Sequence, residues 1–231
     1  MAMTELLHEF PTLRHAGRLL YGGDQTLSAD RSMRACGCGV IACMDLLIYL
    51  CRFHGCRAER LSQLVRPGLI DHDDYDRCSL EMKRRYLPLI PRHGINGVTL
   101  ALGLNRIFRH NGMPYTARWG VGRDKLWSTI EEMLKNDLPV ILSIGPNFPL
   151  FWQHNSLTFY GKKADGRLVP LSRAVAHYVS VTGIDAQWIR ISSWGREYYI
   201  SRKEYEDYVK AHSLRLVSNI LVIERSKTKK K

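Results

Sequence analysis

With 231 residues, 45% of them hydrophobic and 24% charged, the chain can bury one sizeable core and does not have the composition of a disordered protein. Its longest apolar runs, such as Leu138 to Ile144, are too short to span a bilayer, and no basic stretch followed by an apolar run opens the chain, so a cytoplasmic protein with no membrane partner and with reduced thiols is expected. The net charge of +12 is compatible with nucleic acid as a partner, but no nucleic-acid motif accompanies it, and a solvated basic surface accounts for it equally well.

In chain order, residues 1–35 carry a weak helical segment and then a turn, Tyr21-Gly22-Gly23-Asp24-Gln25. Residues 39–53 predict a central helix, with Ala42, Leu46, Leu47 and Leu50 at helical spacing and Gly55 as its stop. A short helix is expected over 57–65, ended by Pro67-Gly68. Asp71-His72-Asp73-Asp74 precedes a helix from Tyr75 to Tyr86 whose basic end is Lys83-Arg84-Arg85. The acidic cluster reads as a helix cap, with a cation site as the other reading. Asn96 to His110 predicts a helix with Val98, Leu102, Ile107 and Phe108 inward. Tyr115 to Trp119 predicts a strand, and Asp124 a cap for a helix from Lys125 to Asn136.

From Leu138 the pattern changes to strands: Leu138 to Ile144, Ser156 to Tyr160, Ala176 to Thr182, Trp188 to Ser192, Tyr198 to Ile200 and Val217 to Ile223. One helix intervenes, capped by Ser201 and ending near Tyr208. The expected class is α+β, a helical N-terminal half packed on a mainly antiparallel sheet in the C-terminal half. A single domain over 1–225 and a basic tail over 226–231 complete the expectation.

The chemistry centres on Ala35-Cys36-Gly37-Cys38-Gly39. A cysteine at a helix N-terminus meets unpaired N–H groups and the positive end of the helix dipole, both of which favour the nucleophilic thiolate. The plain alternative is three small residues packed in a helix. Cys36, Cys38 and Cys43 do not form a pair of C-x-x-C units, so no metal and no cofactor is expected. A thiol needs a base. His177 begins a strand and is followed by a glycine turn at Gly183, although a histidine there also reads as a hydrogen-bonded core residue. Ile191-Ser192-Ser193-Trp194-Gly195 comes one strand later.

Together, Cys38-Gly39, His177-Tyr178-Val179-Ser180-Val181-Thr182-Gly183 and Ser192-Ser193-Trp194-Gly195 resemble the papain-like cysteine peptidases. The closer likeness is to the bacterial branch related to the peptidases that trim double-glycine leaders from bacteriocins. The matching segments cover 36–50 and 138–200. The resemblance implies a papain-like fold and a cysteine-dependent hydrolase, a peptidase or amidase acting on a peptide or protein. Cys38 would be the nucleophile in preference to Cys36, His177 the base and Ser192 the third member. Ser192 stands where the family has Asn or Asp; it carries no charge and orients an imidazole less firmly. The family's oxyanion glutamine, about six residues before the cysteine, is missing. Gln25 is the nearest one upstream and is assigned that role, with the Cys38 backbone N–H as the other donor. A diverged fold that only binds a peptide or partner is the alternative implication.

Overall fold

The structure, a computed structural model, describes residues 2–61, 64–66, 68–150 and 152–226. Its first stretch is extended rather than helical. Strands β1 (Thr4–Glu5), β2 (Thr12–His15) and β3 (Arg18–Tyr21) come first, and helix follows only as a 3-10 turn, Gln25–Leu27, and α1 (Arg31–Cys36). The cause is local. Ala16 and Gly17 both take positive φ, 46° and 77°, a two-residue turn whose twist suits a hairpin, and β2 pairs with β3 around it.

The central helix α2 (Cys38–Phe53) starts directly after Gly37 and is buried from Gly39 to Leu50 on every side, which marks it as the core of the helical layer rather than a surface helix. Gly55, at φ 66°, follows its last turn, as expected of a stop. Among the described residues of 57–65 only a single 3-10 turn, Glu59–Leu61, forms; residues 62 and 63 and Pro67 of the expected stop lie outside the described residues. Strand β4 (Ile70–Asp71) runs into α3 (His72–Arg85), and the Asp71 carboxylate accepts the Asp73 N–H, so this aspartate caps the helix. Helix α4 (Gly97–His110) is capped by Asn96. Its inward stripe is Leu100, Ala101, Leu104, Ile107 and Phe108, whereas Val98 and Leu102 face outward.

Strand β5 (Tyr115–Trp119) precedes α5 (Leu126–Lys135). Asp124 does not cap α5. It sits inside a 3-10 turn, Arg123–Lys125, that occupies the approach. The remaining elements are β6 (Val140–Ile144), β7 (Leu157–Lys162), β8 (Leu168–Ala174), β9 (His177–Ile184), β10 (Trp188–Ser193), β11 (Arg196–Ser201), α6 (Arg202–His212) and β12 (Ile220–Arg225). Ser201 caps α6 by accepting the Glu204 N–H. β8 escaped prediction because it is a mostly exposed edge strand containing Pro170, a residue an edge tolerates.

The large sheet has the order β5-β12-β6-β9-β10-β11-β7-β8, with β1 pairing the far end of β9, and every pairing in it is antiparallel. The protein is thus mixed helix and sheet around a large antiparallel sheet. The two halves interleave more than expected, because β1 comes from the N-terminal end of the chain. Gly183 is not a turn. It lies within β9, paired with Glu5 and Arg190. A second, three-stranded sheet has the order β3-β2-β4, its β2–β4 pair parallel. Helix α2 packs on β9, the strand that begins with His177. Among the described residues no helix is long and apolar enough to cross a membrane. Residues 227–231 of the expected tail lie outside the described residues.

Candidate active site

The N-terminus of α2 meets the start of β9 at a narrow recess of about 10 Å³, room for about one water molecule. Cys38, His177, Gln25, Ser192, Ser193 and Trp194 all line it, with Asp45 and Gly23 also contributing. The four residues nominated from sequence, up to 167 positions apart between Gln25 and Ser192, therefore share one site.

Two thiols competed for the first position. Cys36 closes the last turn of α1, where its Sγ lies 3.3 Å from the Ser32 carbonyl oxygen, and it does not line the recess. Cys38 opens α2 and does. The break between the two helices at Gly37 makes the distinction, because a cysteine ending one helix cannot also sit at the N-terminus of the next. Gly39 follows because space is short there. A Cβ at that position would stand 2.7 Å from Ile95 Cγ2 and 3.2 Å from Tyr178 Cδ2.

The Cys38 sulfur is partly buried. Burial pushes its thiol up to about 11, against the backbone N–H groups of Tyr178 and Gly39, which point at the sulfur and pull the other way. The helix terminus favours the thiolate as expected, but desolvation outweighs it. His177 is buried, and burial pushes its imidazole down to about 4. The resting pair is thus a neutral thiol and a neutral imidazole near pH 7.

Ser192, expected beside the imidazole, does not hydrogen-bond His177. Ser192 Oγ donates to the Tyr21 carbonyl at 2.7 Å and so ties β10 to β3. It is Ser193 whose Oγ lies 2.7 Å from His177 Nε2. Strand geometry explains the exchange. Ser192 pairs with Ser180, and one further step sets Ser193 opposite Val179. Residues 177 and 179 share a face of β9, so Ser193 lies on the His177 side and Ser192 on the other. With Nε2 engaged by Ser193, Nδ1 is the ring nitrogen left to act on a thiol, in the tautomer where Nε2–H donates to the serine.

Trp194 completes this wall. Its ring stacks on His177 at 4.5 Å between centroids and 20° between planes, and Phe159 packs against both. The two-residue turn between β10 and β11 holds it there. Trp194 takes φ 48° and Gly195 φ 66°, the pattern of a tight hairpin turn that a bulky residue adopts only when surrounding contacts hold it.

Gln25 reaches the recess by a detour through its own 3-10 turn (Gln25–Leu27) and α1, which together fill the gap to Cys38. Its Nε2 donates to the Arg34 carbonyl at 3.1 Å. An amide nitrogen carries a second hydrogen, which that bond does not use. Asp45, on α2, holds the approach to this turn. Both its carboxylate oxygens accept the Gly23 N–H at 3.1 Å, and Tyr75 Oη donates to it at 2.7 Å. Burial pushes Asp45 up to about 7 against those hydrogen bonds. Its part in the site was not read from sequence, although a lone acid inside the apolar run 39–50 was a visible signal. No protein-family model and no curated protein matches the chain.

Proposed function

We propose that the protein is a cysteine-dependent hydrolase of papain-like fold, a peptidase or amidase. The observation that carries the reading is the convergence of Cys38 at a helix N-terminus and His177 at a strand start on one recess, with a hydroxyl on the far ring nitrogen. In this mechanism His177 Nδ1 takes the Cys38 proton as sulfur attacks the substrate carbonyl carbon. The carbonyl electrons move onto oxygen, where the Cys38 N–H and the spare Gln25 N–H stabilise the charge. The imidazolium then protonates the leaving amine as the C–N bond breaks, leaving an acyl-thioester. Water attacks the thioester with His177 again as base, releasing the acid and restoring the thiol. Ser193 holds the ring orientation, and Trp194 keeps water off the bond between Ser193 and His177.

A binding module that has lost turnover is the second reading. It is favoured by the small recess and by a third member with no charge to stabilise an imidazolium. Incubation with pooled peptides, esters and primary amides, followed by intact-mass detection of an acyl adduct on the protein, separates the two. An adduct and turnover lost by at least about 10²-fold in both Cys38→Ala and His177→Ala support the hydrolase. Turnover that survives Cys38→Ala, or capture of a peptide that is unaffected by either change, sinks it.

A further inference from the structure

Outside the recess, the end of β2 and the start of α3 gather a second set of chemistry-bearing side chains. β2 and β4 pair in parallel through Leu13 with Ile70 and Arg14 with Asp71, so one further step sets His15 beside His72. Their rings meet edge to face, 4.6 Å between centroids. Asp73 comes next. Its N–H is taken by the Asp71 cap, while its carboxylate, 87% exposed, turns back to 3.8 Å from His72 Nδ1. One donor atom from each of His15, His72 and Asp73 lies within 4.8 Å of the others.

His72 makes this more than a chance cluster. The residue is 3% exposed, and its Nδ1 is buried with no hydrogen-bond partner among the described residues. Leaving such a nitrogen unpaired is costly, and the Asp73 oxygen it faces is too far away for a hydrogen bond. The gap matches a shared ion instead. A tetrahedral ion with bonds of about 2.0–2.2 Å holds its ligand atoms about 3.4 Å apart, so from separations within 4.8 Å His15 and Asp73, the two less buried members, need close by at most about 1.4 Å around a fixed His72.

We propose that His15, His72 and Asp73 form a binding site for a divalent transition metal of the zinc class, with water in the fourth position. Two imidazoles and one carboxylate suit Zn²⁺, Co²⁺ or Ni²⁺ better than Mg²⁺ or Ca²⁺, which take all-oxygen shells. The positive end of the α3 dipole opposes a cation, and the carboxylates of Asp71, Asp73 and Asp74 offset it. Bound there, the ion clips β2 to α3, where β2 and β4 share only the two pairs named above. Tyr75, on the same first turns of α3, donates to Asp45 in the recess, so the clip also steadies the floor of the site.

The test uses the full chain, stripped of metal, at about pH 7.5. Zn²⁺ titration by calorimetry is expected to show one equivalent bound, with a higher melting temperature in excess metal. Co²⁺ is expected to give a tetrahedral visible spectrum with no thiolate charge-transfer band. His15→Ala and Asp73→Asn alter accessible side chains and leave the fold intact, and each is expected to weaken binding at least about tenfold, the loss that follows even from removing an outer-shell partner. Cys36→Ala and Cys38→Ala are expected to leave binding unchanged. The site is overturned if Zn²⁺ does not bind, if His15→Ala and Asp73→Asn bind as the parent does, or if binding disappears with the cysteines.

Discussion

At the scale of single residues, two neighbouring serines divide the work. Ser193 contacts the His177 ring, and Ser192 ties β10 to the carbonyl of Tyr21. A neutral hydrogen bond contributes about 1 kcal/mol, so Ser193→Ala is expected to lower kcat/KM about fivefold and to cost a similar amount of stability. Ser192→Ala is expected to cost about 1 kcal/mol of stability and to leave kcat alone; steady-state kinetics and urea unfolding of both variants check the split. Two buried groups also set the pH dependence of stability. Burial lowers His177 to about 4 from 6.5, so its contribution is present above 6.5 and is lost as pH falls through about 4. Burial raises Asp45 to about 7 from 3.8, so its contribution is present at acid pH and is lost as pH rises through about 7. Between those limits the unfolded chain holds one more proton at position 177 and one fewer at position 45, and the two slopes cancel. Asp45→Asn keeps an oxygen for Gly23 and Tyr75 but removes one side of the balance. Its urea midpoint is expected to fall as pH drops from 6.5 toward 4 and to lose the decline the parent shows as pH rises from 6.5 through about 7. A midpoint that follows the parent at every pH contradicts the assignment.

At the scale of elements, the site depends on how closely α2 approaches β9 and on one hairpin turn. Gly39→Ala places a methyl 2.7 Å from Ile95 Cγ2, and overpacking of this kind costs about 1–3 kcal/mol. Chemical denaturation is expected to show that loss, together with reduced activity as Cys38 shifts from the Tyr178 N–H. The turn between β10 and β11 carries Trp194 at positive φ. Asparagine tolerates that conformation, so Trp194→Asn is expected to keep the hairpin while removing the ring stacked on His177. With less burial the imidazole rises from about 4 toward 6.5, a change that an NMR titration of the His177 ring reads directly. An unchanged titration means that Trp194 does not shield the histidine.

At the scale of the whole molecule, the N-terminal segment locks the helical layer onto the sheet. β1 pairs the end of β9, and just beyond it Asp137 accepts the Leu7 N–H at 2.8 Å, the Tyr49 hydroxyl near the C-terminal end of α2, and His8 Nδ1 at 2.7 Å. His54 Nε2 reaches its carbonyl oxygen at 2.8 Å. Burial pushes the Asp137 carboxyl up, but the hydrogen bonds from Tyr49, His8 and Leu7 outweigh it and hold the group below the usual carboxylate range. Asp137→Ala leaves several donors unpaired at once and is expected to cost about 2–4 kcal/mol, measured as a lower urea midpoint. Because the carboxyl is depressed, the stability it contributes is present above 3.8 and is lost only as pH falls below that value, so the difference between parent and variant narrows in acid.

By itself the sequence determined what short-range chemistry decides. Asp71, Asn96 and Ser201 cap helices because a cap reaches only two or three residues along the chain. Gly55 ends α2 because it alone there takes a left-handed conformation cheaply. Cys38, His177 and Gln25 were legible as residue types at telling positions. The tertiary structure decided whatever depends on partners far away in sequence. Strands of two to four residues such as β1, β2 and β3 carry too little alternation to read, and only their partners make them strands. The choice of Ser193 over Ser192 rests on the register of β10 against β9, which shifts between Arg190 and Ile191, and a one-residue slip moves every side chain to the other face. The charge state of the site was likewise decided by the fold, because desolvation depends on what packs around a group, and around Cys38 it exceeds the pull of the helix N-terminus.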